Sequence, residues 1–221
     1  MKRALVIGAS GGIGQAVVAE LSVRRWDVTA LSRSANGLDV TREESVSEAL
    51  AGLEGPYDLI FVSTGALVIN GAEPEKTIKD VTPDALIDQF KLNAIGPFLV
   101  LKHGLHLLPK SAPSVFAALS ARVGSIGDNK IGGWASYRTA KAALNQLLHT
   151  SAIELGRSHK QAVVLALHPG TVATDFTAKY AGRHKTVPPE EAALNLVDVV
   201  TNATKEHSGG FYDYAFDEIA W

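Results

Sequence analysis

The chain contains no cysteine among its 221 residues. This absence excludes a disulfide framework and any metal site built on thiolates. The sequence also lacks an uninterrupted apolar run approaching the ~20 residues that cross a bilayer as a helix. The apolar stretch near Met1 is too short for the hydrophobic region of a secretion signal. We therefore expect a cytoplasmic protein with no membrane partner.

An excess of charge of either sign is missing as well. The chain has 21 lysine and arginine residues against 23 aspartate and glutamate residues, a formal net charge of −2. This balance gives no electrostatic case for a nucleic-acid partner. His103 and His106 share one face of a predicted helix, but no third ligand at useful spacing completes a metal site. We expect no bound metal.

The residues that are present have an ordinary globular composition, with 46% hydrophobic and 20% charged residues. The length predicts one domain spanning residues 1–221. Short apolar runs alternate with segments of helical periodicity, and the runs that read as strands are "ALVIG", "DVTAL", "DLIFVSTG", "SVFAALS", "AVVLALHPG" and "GGFYDY". This alternation predicts an α/β, Rossmann-like doubly wound parallel sheet with its ligand at the carboxyl ends of the strands.

A glycine-rich stretch, "GASGGIG", joins the first predicted strand to the first predicted helix. Gly8, Gly12 and Gly14 leave the end of the strand open to a phosphate group, and Gly11 and Gly12 can adopt positive φ. The helix that follows would point its free N–H groups and its positive dipole end at a pyrophosphate. A tight turn that needs glycine only for packing is the alternative. The strand–loop–helix context favours dinucleotide binding.

The end of the second strand, "ALSRS", indicates which dinucleotide binds. An NAD site usually carries an acid there, whereas this chain has Ser32 and Arg33. A planar guanidinium suits a 2′-phosphate, so we expect NADP(H). Arg33 could instead be an ordinary solvated surface residue. Asp39 could accept a hydrogen bond from the adenine amino group or be an ordinary turn residue.

Tyr137 and Lys141 lie four residues apart in the predicted helix "ASYRTAKAAL". They therefore share one helical face. A phenol with a pKa near ~10 is too weak a base at neutral pH, and a cation one turn away favours phenolate. We expect Lys141 to lower the pKa of Tyr137 enough for proton exchange with a substrate.

Together these motifs resemble the short-chain dehydrogenase/reductase family. Gly8, Gly12 and Gly14 match its G-x-x-x-G-x-G loop, and Tyr137 with Lys141 match its Y-x-x-x-K signature. The stretch around the tyrosine is similar to the branch of sniffer-type carbonyl reductases and C-factor signalling proteins. The resemblance implies an NADP(H)-dependent oxidoreductase that interconverts a small carbonyl compound and an alcohol, with Tyr137 as the acid/base. It also implies a homodimer or homotetramer.

The family pattern implies further site residues. Asn93 falls at the proton-relay asparagine, inside a segment predicted as one long helix from Thr82 towards Leu108. Because Pro97 has no N–H, the carbonyl of residue 93 is left free for a water linked to Lys141. A simple helix kink is the alternative. The residues expected to bind the cofactor are Gly8, Ser10, Gly11, Gly12, Ile13, Gly14, Ser32, Arg33, Asp39, Val40, Ser63, Thr64, Gly65, Tyr137, Lys141, Pro169, Gly170, Val172 and Thr174.

Two stretches depart from the family pattern. In "AALSARVGSIG" Ser120 occupies the position of the first of two family serines, and Ala121 replaces the second, catalytic one. We favour Ser120 as the residue that orients the substrate carbonyl, with Ser125 as the alternative. In "VSTGAL" Ser63 and Thr64 replace two asparagines, while Gly65 still allows a close approach to the adenine ribose.

The missing serine and the C-factor resemblance keep a second hypothesis open, an NADP(H)-binding sensor or signalling protein with little turnover. Trp134 and His168 could wall the substrate pocket or serve packing alone. The family usually forms its substrate lid from the segment after Thr174. Here that segment, residues 175–190, is short, which implies an open site.

Overall fold

The computed structural model describes residues 1–174 and 186–221. Six parallel strands form one sheet in the order β2-β1-β3-β4-β5-β6. Their bounds are β1 Arg3–Ile7, β2 Asp27–Leu31, β3 Leu59–Val62, β4 Ser114–Leu119, β5 Ala162–His168 and β6 Phe211–Asp213. The predicted α/β class and parallel sheet are confirmed. All six runs that the sequence marked as strands are strands in the structure.

Helices cover both faces of the sheet. The α-helices of the described residues are α1 Gly12–Val23, α2 Arg33–Asn36, α3 Glu43–Ala51, α4 Pro83–Phe90, α5 Gly96–Gly104, α6 Ala135–Ser158 and α7 Pro189–Asn202. Among residues 1–174 and 186–221, each helix is too short or too polar to cross a bilayer.

The alternation of side chains along each strand divides the core into two halves. On β1, Leu5 and Ile7 join one buried cluster with residues of α3, α5 and α6. Ala4 and Val6 point to the opposite side and pack against α1 and α7. Because strands buried on both faces have no solvent side, they read as continuous apolar runs rather than as alternating ones.

The segment predicted as one helix from Thr82 to Leu108 is divided into four pieces, two α-helices and two short turns. Residues Lys91–Ile95 form a π-helical turn between α4 and α5, in which the Gly96 N–H reaches back to the Lys91 carbonyl. A short 3₁₀ turn, Leu105–Leu107, follows α5. Pro97 explains the break, since it cannot donate the N–H that a regular helix would need at this point. Single π-turns of this kind are frequent at functional sites.

A substitution at Gly14 tests how tightly α1 is packed on the end of β1. A Cβ atom at this position would overlap the carbonyl oxygen of Gly8 and lie 2.7 Å from Ser63 Oγ. Because a main-chain oxygen cannot move aside independently, we expect Gly14→Ala to lower the free energy of unfolding by about 1–3 kcal/mol. Urea unfolding followed by circular dichroism measures the change.

Gly156→Ala is the matched control, because a Cβ at this position of α6 meets open space. Replacing an exposed helical glycine by alanine should stabilise the protein by about 0.5–1 kcal/mol. If both variants shifted the free energy of unfolding in the same direction, the close contact at Gly14 would be refuted.

Candidate active site

Helix α6 places Tyr137 and Lys141 at the carboxyl edge of the sheet. Both side chains are buried, with 4% of Tyr137 and 2% of Lys141 exposed. Lys141 Nζ donates a hydrogen bond to the main-chain oxygen of Leu119 at the end of β4, at 2.8 Å. The same nitrogen lies 5.7 Å from the centroid of the Tyr137 ring. The predicted pairing of these two side chains on one helical face is therefore present.

Burial controls the titration of both groups. It raises the pKa of the Tyr137 phenol above its ordinary value of 10.0. It lowers the pKa of the Lys141 ammonium to about 7. Desolvation disfavours the charged form of each group, phenolate and ammonium. The sequence interpretation, which expected a lowered pKa for Tyr137, was wrong in direction because it considered the neighbouring charge and not the loss of water.

Asn93 lies inside the π-helical turn and is fully buried. Its side-chain oxygen accepts from the Ala66 N–H at 3.2 Å. Its amide nitrogen donates to the Ala66 carbonyl at 2.9 Å and to Gln89 Oε1 at 2.6 Å. The side chain is thus used to fix the loop after β3, so a relay role for Asn93 depends on its main-chain carbonyl.

One cavity of about 900 Å³ runs along the carboxyl edge. The glycine loop forms one wall, and Tyr137, Lys141 and the end of β5 form others. The predicted site residues that line the cavity are Ser10, Gly11, Gly12, Ile13, Ser63, Thr64, Gly65, Ser120, Tyr137, Lys141, Pro169, Gly170, Val172 and Thr174. The volume lies in the range of small-molecule and cofactor sites.

The cavity fits a dinucleotide at the glycine loop. Helix α1 begins at Gly12 with no side-chain cap and no acidic residue in its first turn, so its N–H groups and positive end face the cavity. A Cβ at Gly12 would lie 2.6 Å from Thr174 Cγ2, so a larger residue would fill this cradle. Thr64 Oγ1 is buried in the wall with no hydrogen-bond partner among the described residues.

Not every predicted residue of this region reaches the cavity wall. Gly8, at φ +86°, turns the chain beside Ser63, whose hydroxyl bonds to the carbonyls of Ile7 and Gly8. Gly14 is buried against the Gly8 carbonyl, behind the loop. Gly8 and Gly14 therefore pack the turn and let the loop close, and their place in the cofactor site stays a prediction.

The residues predicted from the end of β2 also lie outside the lining of this cavity. Ser32 is buried, and its hydroxyl caps α2 by accepting from the Ala35 N–H. Val40 is buried in the core. Arg33 is exposed on the first turn of α2. Hydrogen bonds from Thr41 and the nearby Arg33 charge lower the pKa of the Asp39 carboxyl, which keeps Asp39 ionised.

The structure places the two candidate serines, Ser120 and Ser125, differently. Ser120 lines the cavity, but its hydroxyl donates to Asn145 Oδ1 at 2.6 Å, so its proton has a buried acceptor inside the protein. Ser125 is buried, lies outside the cavity lining, and accepts from the Asp128 N–H at 3.0 Å. Ala121, two residues beyond the end of β4, lines the cavity with a methyl group.

Arg122, in the segment between β4 and α6, lines the cavity and was not singled out from the sequence. Arg122 pairs with Asp128 at 3.1 Å and with Asp213, at the end of β6, at 2.7 Å. Trp134 and His168, left open between wall and packing, both line the cavity. Burial, followed by repulsion from Arg122, lowers the pKa of His168 to about 4, so its ring is neutral at neutral pH. Arg122 could have been suspected from the sequence, because it lies between the end of a predicted strand and the helix that carries Tyr137.

The expected lid falls largely on residues 175–185, which lie outside the described residues. Within the two described ranges no group of three histidine, aspartate or glutamate side chains could hold a metal ion.

Comparisons with known proteins agree with this geometry. The family model described as short chain dehydrogenase matches residues 2–184. A 1-hydroxy-2-glutathionyl-2-methyl-3-butene dehydrogenase of Rhodococcus sp. (strain AD45) is 33% identical over 226 residues, covering 96% of both chains. The C-signal protein of Myxococcus xanthus is 31% identical over 167 residues, which cover 76% of this chain and 94% of that one.

A solved structure gives the same fold. The crystal structure of a short-chain dehydrogenase/reductase from Burkholderia multivorans with bound NADP superposes with a TM-score of 0.82 at 25% identity. The match covers 100% of this chain and 99% of that one.

The lowered pKa of Lys141 predicts a pH-dependent stability. Lys141 titrates at about 7 in the folded protein but near ~10.4 when unfolded. Between these values the unfolded chain holds a proton that the folded protein releases, so the free energy of unfolding rises with pH. From pH 7 to pH 9 the wild type should gain about 2 kcal/mol over Lys141→Met, in which this titration is absent.

Urea unfolding of both proteins at pH 7, 8 and 9 measures the difference, in which the other titrating groups largely cancel. Parallel pH profiles for the two proteins would refute the lowered pKa.

Proposed function

The chain belongs to the short-chain dehydrogenase family, and we propose that it is an NADP(H)-dependent oxidoreductase that interconverts an aldehyde or ketone with an alcohol. The observation that carries the proposal is the buried Tyr137–Lys141 pair, which lines the same cavity as the glycine loop. A cytoplasmic location and a homodimeric or homotetrameric assembly stay predictions.

The residues that would hold the cofactor are those of the cavity wall. The first turn of α1 and Ser10 to Ile13 would bind the pyrophosphate. Pro169 to Val172 and Thr174 would hold the nicotinamide end, and Lys141 would bond the ribose beside it. When bound, the cofactor supplies or accepts the hydride.

The preference for NADP(H) over NAD(H) rests on the end of β2. Arg33 is exposed there, on a helix that Ser32 caps, and is free to turn towards a 2′-phosphate. The acid that an NAD site usually carries at this place is replaced by Ser32 and Arg33. The relative from Burkholderia multivorans, with NADP bound, supports the same choice.

Tyr137 would donate the proton in the direction of carbonyl reduction. Because burial raises the pKa of its phenol, Tyr137 keeps its proton at neutral pH and can give it from Oη to a carbonyl oxygen. Lys141, with a pKa of about 7, exchanges protons readily at the same pH and would resupply the phenol. The Asn93 carbonyl, which Pro97 cannot bond, would accept a water on this path.

The substrate carbonyl would have one hydrogen-bond donor fewer than the family pattern provides. Ala121 offers no hydroxyl, and Ser120 donates to Asn145. In this proposal Tyr137 orients the carbonyl, and Ser120 acts through the packing of β4 on α6. The loss of one such donor is typically worth on the order of 10²-fold in rate.

The missing hydroxyl at Ala121 favours a second candidate function, an NADP(H)-binding sensor or signalling protein with little turnover. The related C-signal protein supports this alternative through its name. The two functions differ in one result, since only the oxidoreductase oxidises NADPH when a carbonyl compound is added.

Replacing Tyr137 by phenylalanine tests the proton-transfer role. We expect Tyr137→Phe to lower the rate of NADPH oxidation with aldehydes, ketones and quinones by at least about 10²-fold, because the transferable proton is removed. NADPH binding, measured by fluorescence, should stay within about threefold of the wild type.

Tyr57→Phe is the matched control. It removes the hydroxyl of another buried tyrosine, which bonds Thr29 far from the cavity, and should leave the rate unchanged. A Tyr137→Phe protein that turns over at the wild-type rate would refute the assignment, and a wild type that binds NADPH without oxidising it would favour the sensor.

Arg33→Met tests the choice of cofactor. Removing the guanidinium should weaken NADPH binding by about 10- to 100-fold and leave NADH binding unchanged, because only NADPH carries the 2′-phosphate. Arg157→Met removes an exposed arginine at the far end of α6 and should change neither affinity. Equal losses for NADPH and NADH in Arg33→Met would contradict a phosphate contact.

A further inference from the structure

Glu75 lies in the segment between β3 and α4, yet its side chain is buried against the start of α6, with 6% of the residue exposed. We propose that Glu75 is a positioning residue, which holds the first turn of α6 and through it the Tyr137 phenol. The inference rests on the proposed role of Tyr137 in catalysis. It adds a residue outside the cavity to that site.

The contact has two parts. The main-chain oxygen of Glu75 accepts from the Trp134 N–H at 2.6 Å. Its carboxylate Oε2 accepts from the Ser136 N–H at 3.3 Å. Trp134 is the N-cap of α6, Ser136 is the second residue of the helix and Tyr137 the third. A side-chain oxygen at the second or third N–H is the contact that a capping residue makes. Here it comes from a residue 61 positions earlier in the chain.

Helix α6 needs this external cap because its own sequence does not supply one. Trp134 makes no side-chain capping bond, and the first turn contains no acidic residue. Gly132, Gly133 and Trp134 all have positive φ, at 72°, 69° and 53°. For a tryptophan this backbone conformation is strained and persists only when its surroundings hold it. Glu75 accepts hydrogen bonds from the N–H of the strained residue itself and from the N–H two residues later.

The negative charge of the Glu75 carboxylate suits the start of α6. A buried carboxylate is unfavourable unless something compensates it. No ion pair of Glu75 occurs among the residues described, and Oε1 is buried there without a hydrogen-bond partner. The other oxygen, Oε2, accepts from the Ser136 N–H in the first turn of α6, where the positive end of the helix dipole favours a carboxylate.

The segment that carries Glu75 also reaches Asn93. At its beginning, Ala66 is bonded through both its N–H and its carbonyl to the Asn93 side chain. The next carbonyl, that of Leu67, accepts from Gln89 Nε2 at 2.8 Å. One connection therefore fixes the π-helical turn at one end and the Tyr137 turn at the other, so the two predicted proton-handling residues are held by the same segment.

Two substitutions separate this role from a general effect on stability. Glu75→Ala removes the capping oxygen, whereas Glu75→Gln keeps an oxygen at the same reach, loses the charge and places an NH2 group at the buried position of Oε1. Thr82→Ala is the matched control, because Thr82 Oγ1 caps α4 at the Ala85 N–H, at 3.2 Å. Each alanine variant removes the oxygen that caps one helix, so both should lower the thermal stability.

Hydrogen exchange of the protein without cofactor measures how firmly the first turn of α6 is held. In Glu75→Ala we expect the amides of Ser136 to Arg138 to exchange about tenfold faster than in the wild type. In Glu75→Gln and Thr82→Ala they should stay within about threefold. In NADPH-dependent turnover, Glu75→Ala should lower kcat about tenfold with an unchanged Kd for NADPH, and Glu75→Gln should restore most of the rate.

The outcomes are distinct. Unchanged exchange and unchanged kcat in Glu75→Ala would overturn the inference, as would an equal loss of kcat in Thr82→Ala or a Glu75→Gln protein as impaired as Glu75→Ala. If the wild type itself shows no turnover, the proposed oxidoreductase function fails, and the exchange measurement still tests the capping of α6.

Discussion

The hydrogen bond from Lys141 Nζ to the Leu119 carbonyl is the contact on which the site depends. It joins α6 to the end of β4 and fixes an amine in a place that water barely reaches. The same burial keeps Tyr137 protonated and brings the pKa of Lys141 to about 7. A phenol that holds its proton beside an amine that exchanges one is the arrangement on which the proposed reduction of a carbonyl group rests.

The rest of the fold holds Tyr137 and Lys141 beside the glycine loop, where a dinucleotide fits. The parallel sheet brings the glycine loop after β1, the turn after β3 and the Pro169–Gly170 turn after β5 to one edge. The π-helical turn and the segment from Ala66 to Glu75 brace the same edge from the side of α4. Rigid elements of this kind position reacting groups more accurately than free loops do.

The strands, the order of elements and the Tyr137–Lys141 pairing could be read from the sequence, because each depends on local periodicity or on the four-residue spacing of a helix. The Ser120–Asn145 bond, the Glu75 cap and the raised pKa of Tyr137 could not. Each depends on contacts between distant parts of the chain and on how much water those contacts exclude. The interruption of the helical segment from Thr82 to Leu108 also had a reason in the sequence, since Pro97 has no N–H, but the π-helical form of that interruption could not be read from it.

A crystal structure with NADPH bound tests the central claim most directly, because it shows where the nicotinamide lies relative to the buried pair. The account predicts the dinucleotide along the 900 Å³ cavity, with Tyr137 Oη facing the nicotinamide ring, Lys141 Nζ on its ribose and Arg33 at the 2′-phosphate. A dinucleotide bound elsewhere, or a Tyr137 hydroxyl pointing away from the nicotinamide, would contradict it.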